Sequence, residues 1–64
     1  MHVNGVHIVL KEDITLSGFL LREGHDPERV AVEKNGEIVP KISFDTEILS
    51  DDDVLEIVCF VGGG

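Results

Sequence analysis

Apolar residues in this chain recur with two periods, one suited to strands and one to a helix. The first run, Met1 to Leu10, alternates around Asn4-Gly5. Asn-Gly between alternating apolar residues is a strong hairpin signal, because both central positions of the tight turn need positive φ. A two-residue loop pairs Val3 with Val6, His2 with His7 and Met1 with Ile8. Side chains alternate along a strand, so Met1, Val3, Val6, Ile8 and Leu10 are expected on one face. After the polar break Lys11-Glu12-Asp13, Thr15 is a good N-cap, its hydroxyl accepting from a free amide of the first turn. Leu16, Phe19, Leu20 and Glu23 follow at helical spacing. Gly24 is the expected C-cap, and Pro27 closes the segment. Gly18 inside so short a helix costs about 1 kcal/mol relative to Ala, so the helix must rely on packing.

Strand periodicity then returns. Val30 to Lys34 and Glu37 to Val39 flank a second Asn-Gly, Asn35-Gly36, which pairs Val32 with Val39 and Glu33 with Ile38. Pro40 ends that ladder, since it has no amide hydrogen to donate. If Val30, Val32 and Val39 face the helix, then Ala31, Glu33 and Ile38 face outward. Lys41 to Ser50 reads as irregular, with Phe44, Ile48 and Leu49 plugging the end of the core. Asp51-Asp52-Asp53 reads as a solvated acidic turn, because neither Gly nor Glu follows at calcium-loop spacing. Val54 to Val61 is a last strand rich in β-branched residues. Leu55, Ile57 and Cys59 are expected on the helix side, and Glu56, Val58 and Phe60 on the open side. Ala31, Ile38, Val58 and Phe60 then form an apolar patch on the uncovered face, a candidate protein contact. A helix following a hairpin must cross one face of the sheet, so the fold class is α+β.

Length and charge narrow the function classes. The 64 residues form a single domain with a thin core, because so short a chain buries only about 60% of its unfolded surface. Five Lys and Arg stand against 13 Asp and Glu, a formal net charge of −8. That balance is unfavourable for nucleic acid, whose phosphates attract cations. It suits a partner with a basic surface, and equally it keeps a small protein soluble. The lone cysteine, Cys59, excludes an intrachain disulfide and fits a reducing, cytoplasmic setting. No apolar run approaches the roughly 20 residues of a membrane span. The start of the chain lacks the charged-then-apolar pattern of a leader peptide. His2 and His7 lie opposite each other in the first hairpin but have no third ligand at metal-site spacing, so no metal site is expected.

The sequence ends Gly62-Gly63-Gly64. Three extended glycines reach roughly 10 Å, at about 3.3 Å per residue. Lacking Cβ, they pass a channel too narrow for side chains. The stretch reads either as a frayed terminus or as a flexible tail, 62–64, that carries a carboxylate into another protein's active site.

Two stretches carry a family resemblance. Asp26-Pro27-Glu28-Arg29-Val30-Ala31-Val32-Glu33-Lys34-Asn35-Gly36-Glu37-Ile38-Val39-Pro40 and Glu56-Ile57-Val58-Cys59-Phe60-Val61-Gly62-Gly63-Gly64 resemble the ThiS family, the sulfur carriers of thiamine thiazole biosynthesis. The resemblance spans nearly the whole chain. It implies a β-grasp, ubiquitin-like fold: a mixed β-sheet in which the first and last strands run parallel, with one main helix across one face. It also implies a role. An adenylating enzyme of the ubiquitin-activating type (ThiF-like) uses ATP to activate the Gly64 carboxylate. A sulfur donor such as a cysteine desulfurase then supplies sulfur, leaving a thiocarboxylate for thiazole synthase (ThiG-like). Gly62 and Gly63 would act as the threading tether and Ala31, Ile38, Val58 and Phe60 as the docking patch. The chain itself would bind no cofactor and act as a co-substrate rather than an enzyme. It has no phosphate-binding glycine loop with its Lys. Other readings are a molybdopterin-type carrier, a ubiquitin-like modifier, or a β-grasp binding module without sulfur chemistry. Against the family pattern, Glu23 and His25 stand at positions usually Leu, and Cys59 replaces a frequent Arg. Cys59 is either a small strand residue or a point of covalent linkage to the activating enzyme.

Overall fold

A computed structural model describes residues 1–60. Strands β1 (His2–Val3) and β2 (Val6–His7) form the first hairpin, and a short strand β3 (Ile14–Thr15) leads into helix α1 (Leu16–Arg22). A 3-10 turn at Pro27–Arg29 precedes β4 (Val30–Lys34) and β5 (Glu37–Ile38). A second such turn at Lys41–Ser43, β6 (Ile48–Leu49) and β7 (Val54–Cys59) follow. The main sheet has the order β2-β1-β7-β4-β5, and β3 and β6 pair in a small second sheet. β1 runs parallel to β7, whereas β4 is antiparallel to both β5 and β7. The last strand thus lies in the middle of the sheet.

Both hairpins form at the predicted turns. Asn4 and Gly5 have φ of 51° and 82°, and Asn35 and Gly36 have 53° and 85°. Positive φ at both positions matches the right-handed twist of the flanking strands. The registers are as expected, His2 opposite His7, Val3 opposite Val6 and Glu33 opposite Ile38. Each asparagine then also grips β7. The Asn4 side-chain amide donates to the Ile57 carbonyl at 3.1 Å and accepts from the Ile57 amide at 2.7 Å. It mimics a strand residue and extends the parallel ladder beyond the point where β1 turns away. Asn35 accepts from the Val54 amide at 2.9 Å, and its backbone amide donates to the Val54 carbonyl at 2.8 Å.

Thr15 caps α1, its hydroxyl accepting from the Gly18 amide at 3.1 Å. A Cβ at Gly18 would lie 3.0 Å from that hydroxyl oxygen and 3.2 Å from Ile14 Cγ1. Glycine therefore leaves room for the cap. At the other end Gly24 has φ +82°. The His25 amide donates to the Leu20 carbonyl and the Gly24 amide to that of Leu21. This is the paired closure that a left-handed residue after the helix permits.

Leu16, Phe19 and Leu20 pack α1 onto Val30, Val32, Leu55 and Ile57, with Met1, Leu10, Val39, Phe44 and Leu49 completing the core. The outcome differs from the sequence reading at three apolar positions. Val6 is 63% exposed, because edge strand β2 lies outside the cover of the short helix. Ile48 is 49% exposed, whereas its neighbour Leu49 is fully buried. Two consecutive strand residues point to opposite faces, so β6 can bury only one. Cys59 shares the side of Ile57 but is exposed, although Val30 directly opposite it on β4 is buried. The segment Lys41 to Ser50 is also more regular than expected, containing one 3-10 turn and β6.

Candidate functional site

β7 leads from the centre of the sheet toward the glycine tail, and its register is held from both sides. Toward the end, Val58 lies opposite Ala31 and Cys59 opposite Val30. The Phe60 amide donates to the Arg29 carbonyl at 2.8 Å, so pairing with the β4 side persists through the last described residue. Val61 and the predicted tail residues Gly62, Gly63 and Gly64 lie outside the described residues.

The face of the sheet away from α1 carries the predicted patch. Ala31 is exposed, and Ile38, Val58 and Phe60 are 77%, 59% and 55% exposed. Ala31, Ile38 and Val58 line one shallow depression together with Glu33 and Glu56. Phe60 joins Ala31, Ile38, Pro40 and Phe44 around a second one beside it. The four patch residues are therefore brought together. Sequence reading placed Glu33 and Glu56 on the open side but missed their juxtaposition: Glu33 lies directly opposite Glu56 across β4 and β7. The signal was present, because the two positions fall in register once the last strand is paired with β4.

The remaining titratable groups build structure. The buried Asp53 accepts from the Asn35 side chain at 2.9 Å and from the Ser50 amide at 2.8 Å. Burial alone would raise its pKa, but these bonds and the Lys34 charge outweigh burial and hold it below the ordinary carboxylate value. Asp51 is also lowered, first by the Leu10 amide that donates to it at 2.8 Å and then by the amino group of Met1 at 3.0 Å. Lys34 is raised, chiefly by its 2.7 Å hydrogen bond to Glu47, with Asp53 adding to the effect. The acidic turn thus has structural work at Asp51 and Asp53. The His2 and His7 rings stand 4.9 Å apart. No group of three or more metal-ligating side chains occurs among the described residues. Cys59 Sγ lies 3.6 Å from His25 Nδ1 at the exit toward the tail.

The model of the ThiS family matches residues 1–64, the whole sequence. The chain belongs to the ThiS family. A sulfur carrier protein ThiS from Bacillus subtilis is 38% identical over 65 residues, covering all of this chain and 98% of that protein. A crystal structure of the thiamine biosynthesis protein ThiS from Geobacter metallireducens superposes with a TM-score of 0.79 at 32% identity, covering 98% of this chain and 96% of that one. The ubiquitin-like β-grasp fold of the ThiS family is thereby established for this sequence, as the resemblance of 26–40 and 56–64 implied. A thiazole synthase from Magnetococcus marinus is 39% identical over 64 residues, and another from Paramagnetospirillum magneticum is 44% identical over 62. The chain spans about a fifth of the length of these two synthases.

Proposed function

We propose that this ThiS-family chain carries sulfur for thiazole formation in thiamine biosynthesis. The family match across all 64 residues carries the reading, and the likeness to the Bacillus subtilis carrier supports it. The chemistry centres on the Gly64 carboxylate. A carboxylate is a poor electrophile, so an adenylating enzyme of the ubiquitin-activating type joins it to AMP from ATP, releasing pyrophosphate. A persulfide sulfur, generated by a donor such as a cysteine desulfurase, displaces AMP to give an acyl disulfide. A second thiol then cleaves the S–S bond, leaving the thiocarboxylate on Gly64 and a disulfide between the donor thiol and the attacking one. Gly62 and Gly63 supply the slim tether that reaches the nucleotide. The chain is a co-substrate, and its body contributes shape and docking.

Thiazole synthase is the proposed recipient of the sulfur. The similarity to part of two longer thiazole synthases favours that choice over other acceptors. Ala31, Ile38, Val58 and Phe60 form the docking patch, because they expose apolar area beside the strand that leads to the tail.

Intact mass tests the reading. The chain is incubated with the adenylating enzyme from its own genome, ATP and a sulfur donor. Exchange of one carboxylate oxygen for sulfur at Gly64 is the expected result. Isopeptide adducts on lysines would instead identify a protein modifier, and an unchanged mass would leave a binding module. Adding one Ala after Gly64 should abolish the exchange without changing the melting temperature.

A further inference from the structure

We infer that the open sheet face receives an arginine of the partner protein, set among apolar side chains, between the carboxylates of Glu33 and Glu56. This rests on the reading above that the chain is a carrier handled by other proteins, and it names the chemistry of the docking surface.

Glu33 and Glu56 are directly opposite in register and both exposed. Directly opposed strand residues hold their Cβ atoms about 5 Å apart, and like charges so placed destabilise the sheet. A domain this small has little stability to spare. Among the described residues no cation relieves the repulsion. Arg22 pairs with Glu23, Arg29 with Asp26 and Lys41 with Glu28, while Lys34 lies on the opposite face with Glu47 and Asp53. Lys11, the fifth cation, sits in the β2–β3 connection. Among the described residues neither carboxylate makes an ion pair.

The surroundings select the missing group. Glu33 and Glu56 both line a mostly apolar depression of about 110 Å³ whose other walls include Ala31, Ile38 and Val58. A planar guanidinium can donate to two neighbouring carboxylates at once while its flat face rests on apolar side chains. An ammonium is a compact, strongly hydrated charge and fits such a floor less well. Covering the face with a partner would also shield the new ion pair from water and strengthen it. A surface with an arginine ringed by apolar residues therefore complements the patch in both shape and charge.

The test compares Kd for the purified adenylating enzyme and thiazole synthase of the same genome, using the wild-type chain, E33Q/E56Q and E12Q/E37Q. The last variant removes the same net charge away from this face. E33Q/E56Q should melt no lower than wild type, because a repulsion is removed. Its affinity for at least one of the two proteins should fall about tenfold or more, as expected when a covered charge loses its counterpart. The control should shift by no more than about twofold, since exposed charges contribute little. Unchanged affinity of E33Q/E56Q for both proteins overturns the inference, as does an equal loss in the control. If the wild-type chain gains sulfur while E33Q/E56Q binds normally, this inference alone falls. If the wild-type chain neither binds nor gains sulfur, the carrier reading falls and takes this one with it.

Discussion

Asn4 and Asn35 occupy equivalent places in their turns, yet their side chains serve β7 at different points. Asn4 holds Ile57 through two hydrogen bonds, and Asn35 accepts from Val54 while donating to Asp53. Replacing Asn4 with Gly keeps the positive φ and removes only the bonds. At about 0.5–1.5 kcal/mol for each lost bond, Asn4→Gly should cost roughly 1–3 kcal/mol. The check is a lower urea midpoint with an unchanged m-value. Asp53→Ala should cost a similar amount, because the Ser50 amide and the Asn35 side chain lose their acceptor. These turns were legible in the sequence because Asn-Gly is nearly unique in accepting two successive positive φ values. The side-chain grips were not, because Asn4 and Ile57 are 53 positions apart in the chain.

At the scale of elements, β7 separates buried side chains from the proposed docking residues by simple alternation. Leu55 and Ile57 face the helix, and Glu56 and Val58 face the open side. Leu55→Ala should therefore cost about 2–5 kcal/mol, as a buried truncation does. Val58→Ser should change stability by less than about 1 kcal/mol, yet raise KM for the adenylating enzyme with kcat little changed. Steady-state kinetics on the two variants, read beside their unfolding curves, tests the division. The patch residues were legible from period two alone. The short strands β3 and β6 were not, since two residues carry no period and Ile14 meets Leu49 only through the tertiary fold. Position along the sheet also escaped the sequence. Alternation placed Cys59 on the helix side correctly, but α1 ends at Arg22, and Cys59 stays exposed with the His25 ring beside its sulfur.

For the whole molecule, charge sets the response to conditions. A net −8 on 64 residues makes the folded state repel itself, so added salt should raise the melting temperature. Asp51 and Asp53 have folded-state pKa values below the ordinary 3.8. Their contribution is complete above that value and is lost as pH falls through the lower, folded-state values. Lys34, raised above the ordinary 10.5, contributes fully below that value and loses its contribution as pH rises through the folded value. Unfolding free energy followed from pH 2 to pH 7 should thus fall toward the acid end, and D51N/D53N should flatten that limb.

The parallel pairing of β1 with β7 joins His2 to Val54. A sheet whose central member, β7, comes after all its other strands in the sequence cannot close until that strand has been made. Until residues 54–59 emerge, β1 and β4 have no common neighbour, and the nascent chain lacks the middle of its sheet. Contacts between such distant positions also slow the search for the native state. Chains that stop before residue 54 should therefore fail to fold, so that this sheet acquires its middle only once β7 is present.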